Sequence, residues 1–289
     1  MRVIARLGPR PVALETTLLV HGVPREAARP LAAELNQIIR DAGANPALVG
    51  VVDGRPTVGM TDDELDTLLA APSVPKANTA NLGAMMHAGS HAATTVSATM
   101  ELAAAAGVRV FATGGIGGVH PGYGTHLDIS SDLAALARFP VAVVASGVKS
   151  ILDVESTREA LETLGVPVIG YRTDRFPAFY RRESDTGVDW RFDDAGDLAT
   201  YVTSELARTG RGVLVANPIP PEHEIAAHDW TAWLAQAERE VGEASQGRDR
   251  TPALLARLHN LSGGRTLASN LALVRANAAL AAALASAQA

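Results

Sequence analysis

Short apolar runs rich in β-branched residues alternate along the chain with longer stretches whose apolar positions recur every three or four residues. The runs are PVALE, ALVGVVDG, VRVFAT, VAVVASG, VPVIGY and GVLVAN. Between them lie RPLAAELNQIIRDAG, TDDELDTLLAA, ATTVSATMELAAAAG, SSDLAALARF, ILDVESTREALETLG and DLATYVTSELARTG. Continuous apolar runs suit strands covered on both faces, as in a parallel sheet, and the periodic stretches supply the crossover helices. Gly107, Gly165 and Gly210 close three of those stretches, where a left-handed stop is cheap for glycine. The last sixty or so residues read as helices only, with SQGRDRTP and LSGGRT as loops. The pattern predicts an α/β fold: a three-layer α/β/α sandwich with a mostly parallel central sheet and a helical C-terminal segment. One domain over residues 1–289 is the economical organisation, and a separate helical unit from about residue 220 fits the same pattern.

Composition narrows the classes of function. With 289 residues, 47% of them hydrophobic, the chain can bury a sizeable core. A net charge of −6 without a Lys/Arg cluster argues against a nucleic-acid or anionic-membrane surface. The absence of cysteine excludes disulfides, thiolate nucleophiles and Cys-ligated zinc. The start, MRVIARLGPRPVALE, has no long apolar stretch or small-residue cleavage site, and Asn270, Arg275 and Asn277 interrupt the Ala-rich tail. No signal peptide and no membrane span are expected, and a cytoplasmic location is the default.

In open parallel sheets ligands bind beyond the carboxyl ends of the strands. The polar residues that directly follow the apolar runs are Glu15, the glycine cluster after VRVFAT, Lys149, Tyr171 to Asp174, and Asn217. In FATGGIGGVH, Gly115 and Gly117 begin a dinucleotide fingerprint, but His120 takes the third glycine's place and PGYGTHLD is no helix. No Gly-Lys-Ser/Thr follows either, so this is not a Walker loop. The stretch reads equally as a tight turn or as bare N–H groups facing an anion, with Thr113 and His120 at the rim.

Behind it, Ser130 or Ser131 caps the helix SDLAALARF and Asp132 favours its positive end, which leaves Asp128 without a structural reason. A hard divalent cation using that one carboxylate and waters is the functional reading. Of 25 Lys and Arg residues only Lys76 and Lys149 are lysines. A chain that otherwise uses arginine has reason to keep a cation that can lose its proton, attack a carbonyl and form an imine. A lysine snorkelling from a strand end is the bland alternative. Glu15, at the end of a buried strand, is a candidate general acid. His87, His91, His223, His228 and His259 follow no metal-ligand spacing.

Taken in order, ALETTLLVHG, VGVVDGRPTVGMTDDEL, ATTVSATM, VFATGGIGGVH, LDISSDL, SGVKSILD, GVPVIGYRTDRFPAF, VANPIP, TPALLARL and LASNLALVRANA resemble the pseudouridine-5′-phosphate glycosidase (indigoidine synthase A-like) family over nearly the whole chain. The resemblance implies a manganese-dependent homotrimer that breaks, reversibly, the C–C bond between ribose 5-phosphate and uracil. A carbon leaving group is a poor anion, so the electrons need a sink, and a lysine iminium at C1′ of the opened sugar supplies it. By this resemblance Lys149 is the nucleophile and Glu15 the proton donor. Lys76, Val96, Ser130, Ser131 and Asp132 contact substrate, Thr113 and His120 border the sugar phosphate, Asn270 lies near the base, and Asp128 holds Mn²⁺.

Two departures stand out. The family continues its substrate lysine with Ser-Arg-Arg-Asp, whereas this chain reads Lys76-Ala-Asn-Thr-Ala-Asn, and after GGVH the usual Arg is Pro121. Lost charges imply weaker polar recognition of uracil and room for a larger aglycone. The expectation is a C-glycosynthase that joins ribose 5-phosphate to an aromatic natural product, as in polyketide antibiotic pathways. The alternative is an ordinary pseudouridine-5′-phosphate glycosidase with a drifted loop. A phosphosugar kinase lacks its ATP motifs here, and a mere sugar-phosphate binder has no need of Glu15 and both lysines.

Overall fold

The structure is a computed structural model that describes residues 2–242 and 250–287. Its strands are β1 (Ile4–Ala5), β2 (Pro11–Glu15), β3 (Asn45–Val52), β4 (Arg55–Val58), β5 (Lys76–Ala77), β6 (Ala92–Thr94), β7 (Val110–Ala112), β8 (Ala142–Ala145), β9 (Val168–Tyr171), β10 (Trp190–Phe192) and β11 (Val213–Ala216). Its helices are α1 (Thr16–His21), α2 (Arg25–Asp41), α3 (Asp62–Ala70), α4 (Leu82–His87), α5 (Val96–Ala105), α6 (Tyr123–His126), α7 (Ser131–Arg138), α8 (Val154–Thr163), α9 (Ala195–Thr209), α10 (Ala227–Val241), α11 (Arg250–Leu261) and α12 (Arg265–Ala287).

The sheet runs β1-β4-β3-β2-β7-β8-β11-β9-β10, with β6 attached to β3 and β5 to β6. All neighbours are parallel except β3 with β4 and β3 with β6. Side chains alternate across a strand, so both faces must be apolar when both are covered. On one face Val12, Leu14, Val110, Ala112, Val144 and Val215 pack under α2, α9 and α12. On the other Ala13, Phe111, Val143, Ala145, Val168 and Leu214 pack under α5, α7 and α8. These are the three layers the alternation predicts.

Every apolar run of the sequence forms a strand, while the short β1, β4, β5, β6 and β10 carry too few residues to stand out from their loops. Sequence periodicity also placed Ala93 to Thr95 in a helix. They instead end β6 and supply Thr95 as the N-terminal flank of α5, since β6 pairs with β3 through Ala93 and Gly50. The predicted loop SQGRDRTP lies largely outside the described residues and gives way to α11 at Arg250, whereas Gly263 and Gly264 turn the chain from α11 into α12 at positive φ.

The C-terminal helices are no appendix. Helix α12 lies across β2, β7 and β8, flanked by α2 and α9, and buries Leu273, Ala278, Ala281 and Leu284 in the same core. By length and hydropathy it could cross a membrane, but more than half of that apolar window is buried inside the fold. It is the central helix of one layer. Its two asparagines face inward, which is where the site begins.

Candidate active site

Strands β2, β7 and β8 are neighbours, so their carboxyl ends deliver Glu15, Thr113 and, one loop later, Lys149 to one edge of the sheet. Lys76 comes from β5, held beside that edge through β6 and β3. Together they line a cavity of about 670 Å³. Gly114, Gly115, Ser150 and Asn270 complete its polar wall, and Ile151, Phe179, Tyr180, Trp230, Leu258 and Leu267 supply an apolar one.

Glu15 is buried and accepts a hydrogen bond from the Thr113 hydroxyl. Burial raises its pKa above the ordinary carboxyl value. Lys149, the Thr113 bond and Lys76 oppose that shift, and Asp132 adds to it. The result is a carboxyl that keeps its proton to higher pH than a free one, as a general acid requires. Lys76 moves the other way: burial and the Lys149 cation lower its pKa, and Glu15 pulls back. Burial also pushes the Tyr180 phenol well up, so it stays neutral.

The loop that carries Lys149 is fixed from two sides. The Lys149 N–H donates to the Ile116 carbonyl at 3.1 Å, which ties it to the glycine stretch. The Ser150 hydroxyl donates to the Ala178 carbonyl at 2.6 Å and accepts from the Tyr180 N–H at 3.2 Å. Between those two contacts Phe179 sits at φ 60°, a left-handed conformation that costs a bulky residue free energy and survives only under such constraint. Its ring occupies the space beside Gly115, where a Cβ would come within 2.5 Å of it.

Asn277, fully buried on α12, is the hub behind the site. Its amide donates to the Thr113 carbonyl at 2.8 Å and to the Ser146 hydroxyl at 3.2 Å, while its oxygen accepts from Asn217 at 2.9 Å. One side chain thus joins the ends of β7, β8 and β11. Sequence reading saw in it only an interruption of an apolar tail, yet a polar residue inside such a stretch is itself the signal. Two turns earlier on α12, Asn270 lines the cavity with its Oδ1 buried and without a hydrogen-bond partner among the described residues. His21, which closes α1, also lines the cavity and was passed over by motif spacing.

The other sequence-derived candidates lie outside the cavity lining. Val96 is buried in the core at the start of α5. Ser130 caps α7 by accepting from the Asp132 N–H at 3.2 Å, and the Ser131 hydroxyl meets that of Ser97 at 3.0 Å. The Asp132 carboxylate accepts from the Gly117 and Ser97 N–H groups at 2.8 and 2.9 Å, so it pins the glycine stretch to α5. Only Gly114 and Gly115 of that stretch face the cavity. Gly117 carries no side chain because Ser130 and Asp132 fill the space, so the cluster serves packing as well as the cavity wall.

His120 and Asp128 stand 3.7 Å apart on the solvent side of the loop, with the Asp128 side chain 59% exposed. No group of three or more potential metal-ligating side chains occurs among the described residues. A hard cation that keeps most of its shell as water fits one exposed carboxylate, and only in that form do Asp128 and His120 suit Mn²⁺.

The two departures have a structural reading too. Asn78 and Asn81 bond reciprocally, each side-chain oxygen accepting the other's N–H (2.8 and 3.2 Å), and Asn81 also donates to the Lys76 carbonyl. They build the turn that carries Lys76. Neither they nor the exposed Pro121 line the cavity.

Residues 6–287 match the family model described as indigoidine synthase A like protein. The chain belongs to that family. It is 50% identical over 280 residues to a pseudouridine-5′-phosphate glycosidase of Methylobacterium nodulans, covering 95% of this chain and 82% of that one. To the glycosidase of Geobacillus kaustophilus it is 47% identical over 277 residues, 95% and 92% of the two chains. Among solved structures, an indigoidine synthase A-like protein of Thermotoga maritima superposes with a TM-score of 0.90 at 37% identity, over 98% and 95% of the chains. The prealnumycin C-glycosynthase AlnA, solved with ribulose 5-phosphate, gives 0.89 at 33% identity over 100% and 99%.

Proposed function

We propose that this chain is a pseudouridine-5′-phosphate glycosidase, reversibly cleaving the C–C bond between uracil and ribose 5-phosphate. The observation that carries the reading is the meeting of Glu15, Lys76 and Lys149 in one cavity. Relatives at 44–50% identity bearing that name support it over the C-glycosynthase expected from the two departures, which lie outside the cavity lining. In this reading Glu15 gives its proton to the ring oxygen, and Lys149 takes C1′ of the opened sugar. As it bonds C1′ the Lys149 nitrogen returns a proton to the Glu15 carboxylate, and Glu15 passes it to C5 of uracil, so that the C1′–C5 pair leaves with the base and an iminium remains on Lys149. Lys76, opposite Glu15, balances the sugar phosphate, and the free Oδ1 of Asn270 accepts from a uracil N–H. Asp128, beside His120, would hold Mn²⁺ through its carboxylate, and the ion would supply Lewis-acid charge there. Assembly as a homotrimer belongs to the same reading, and sedimentation checks it.

A second reading is favoured by the apolar half of the cavity, with Phe179, Tyr180 and Trp230. The same chemistry run toward synthesis would join ribose 5-phosphate to an aromatic aglycone, the activity named for AlnA. One incubation decides between them. Pseudouridine 5′-phosphate with Mn²⁺ should release uracil rapidly; no release, together with ribose 5-phosphate-dependent modification of an aromatic acceptor, overturns the glycosidase in favour of the synthase.

A further inference from the structure

His21 shares the cavity with Glu15, Lys76 and Lys149, yet no step above uses it. Helix α1 starts directly after Glu15, so Thr17 and His21, four residues apart, present one face to the cavity. The His21 Nε2 lies 2.9 Å from the Val74 carbonyl oxygen. A carbonyl can only accept, so Nε2 carries the hydrogen and Nδ1 keeps its lone pair. Burial and the neighbouring Lys76 cation hold the ring below its ordinary imidazole range, the Val74 bond opposing them. A neutral base therefore stands beside Lys76 in the cavity that also holds Lys149.

Iminium chemistry ends with a second proton demand. Water must lose a proton as it attacks C1′, and the departing amine must gain one. Tyr180 stays neutral and Lys149 is the group being released, while Glu15, ionised once its proton has gone to the substrate, is the rival base at the strand ends. His259 reaches the cavity from α11, beside Leu258 and Thr266, rather than from the strand ends that carry Glu15 and Lys149.

On the glycosidase reading, we infer that His21 is the catalytic base that hydrolyses the sugar–lysine iminium. Water oxygen bonds C1′ while the C=N π pair moves onto the Lys149 nitrogen, and Nδ1 of His21 takes the water's proton. His21 then returns that proton to the nitrogen of the carbinolamine. The C1′–N bond breaks with its pair on nitrogen, the hydroxyl oxygen closes the aldehyde C=O, and the hydroxyl proton ends on the lysine amine. The products are open-chain ribose 5-phosphate and the lysine ammonium, and no oxidant or reductant is involved.

The test is a pre-steady-state experiment with pseudouridine 5′-phosphate and Mn²⁺ on wild type, His21→Gln and His21→Ala. Gln keeps a donor for the Val74 carbonyl, which separates the proton role from a packing role. Both variants should release about one uracil per site at near wild-type rate and then turn over about 100-fold more slowly, within the range of general-base effects. Borohydride should trap more ribose 5-phosphate on Lys149 in the variants than in wild type, and added imidazole should speed His21→Ala. Equal losses in burst and steady state, or unchanged turnover in His21→Gln, would overturn the role of His21 while leaving the glycosidase intact. A wild type that neither releases uracil nor yields an adduct would overturn both.

Discussion

The Thr113 hydroxyl donates to the buried Glu15 carboxylate, and the two residues stand at the ends of neighbouring parallel strands. That bond favours the charged form of Glu15 against the larger effect of burial. Thr113→Val removes it, so the Glu15 pKa rises further. If Glu15 acts as an acid, activity falls as pH rises through its pKa. The alkaline limb of kcat/KM should therefore move to higher pH in the variant, with a drop of about tenfold at the optimum from the lost contact. A pH–rate profile of both proteins reads the shift, and an unmoved alkaline limb assigns that limb to another group.

Glu15→Gln isolates the cost of that carboxyl. A carboxyl with a raised folded pKa stabilises the fold at low pH and loses that contribution as pH rises through the folded value. The variant should lack activity, losing at least about 100-fold in kcat. It should also melt above wild type, by a margin that widens as pH rises above the ordinary carboxyl range, because the unfolded carboxyl ionises there while the buried one still holds its proton. Thermal unfolding at about pH 4 and about pH 7 measures the widening; a constant difference would mean that the native carboxyl is not raised above the unfolded one.

Lys149→Ala and Lys149→Arg should both abolish borohydride trapping of ribose 5-phosphate, because a guanidinium keeps its proton and does not form the imine. Lys76→Ala should retain trapping at saturating sugar while KM for ribose 5-phosphate rises about tenfold or more. Mass spectrometry of the trapped protein distinguishes the two sites. Label found on Lys76 in the wild type would exchange the roles of the lysines.

The six apolar runs made the sheet legible because strands covered on both faces are apolar at every position, and the carboxyl-end rule then singled out Glu15, Lys149 and the glycine stretch. Val96, and any substrate role for Asp132 beyond its place at the start of a helix, came only through resemblance, and the two turn inward to the core and to backbone N–H groups. On α12 the resemblance pointed to Asn270, but the role of Asn277 was not legible, because which helix crosses the strand ends depends on tertiary packing that no local pattern encodes. His21 escaped for a related reason: its meaning comes from the Val74 carbonyl, 53 positions away.

Asn277→Leu should cost about 3 kcal/mol, since it strands the buried Thr113 carbonyl and leaves the half-buried Asn217 amide without its partner. Equilibrium denaturation in urea reads this as a lower midpoint with an unchanged slope. A variant as stable as wild type would mean that water enters and replaces the amide.

Helix α12 also sets a schedule. A growing chain carries Glu15, Lys76 and Lys149 well before it carries Asn270 and Asn277, so the sheet edge exists first without its pin and without its cavity wall. On the proposed reading, the two lysines meet a shaped sugar pocket only once α12 has been made. A chain halted before that helix should then hold the chemical groups without turning over.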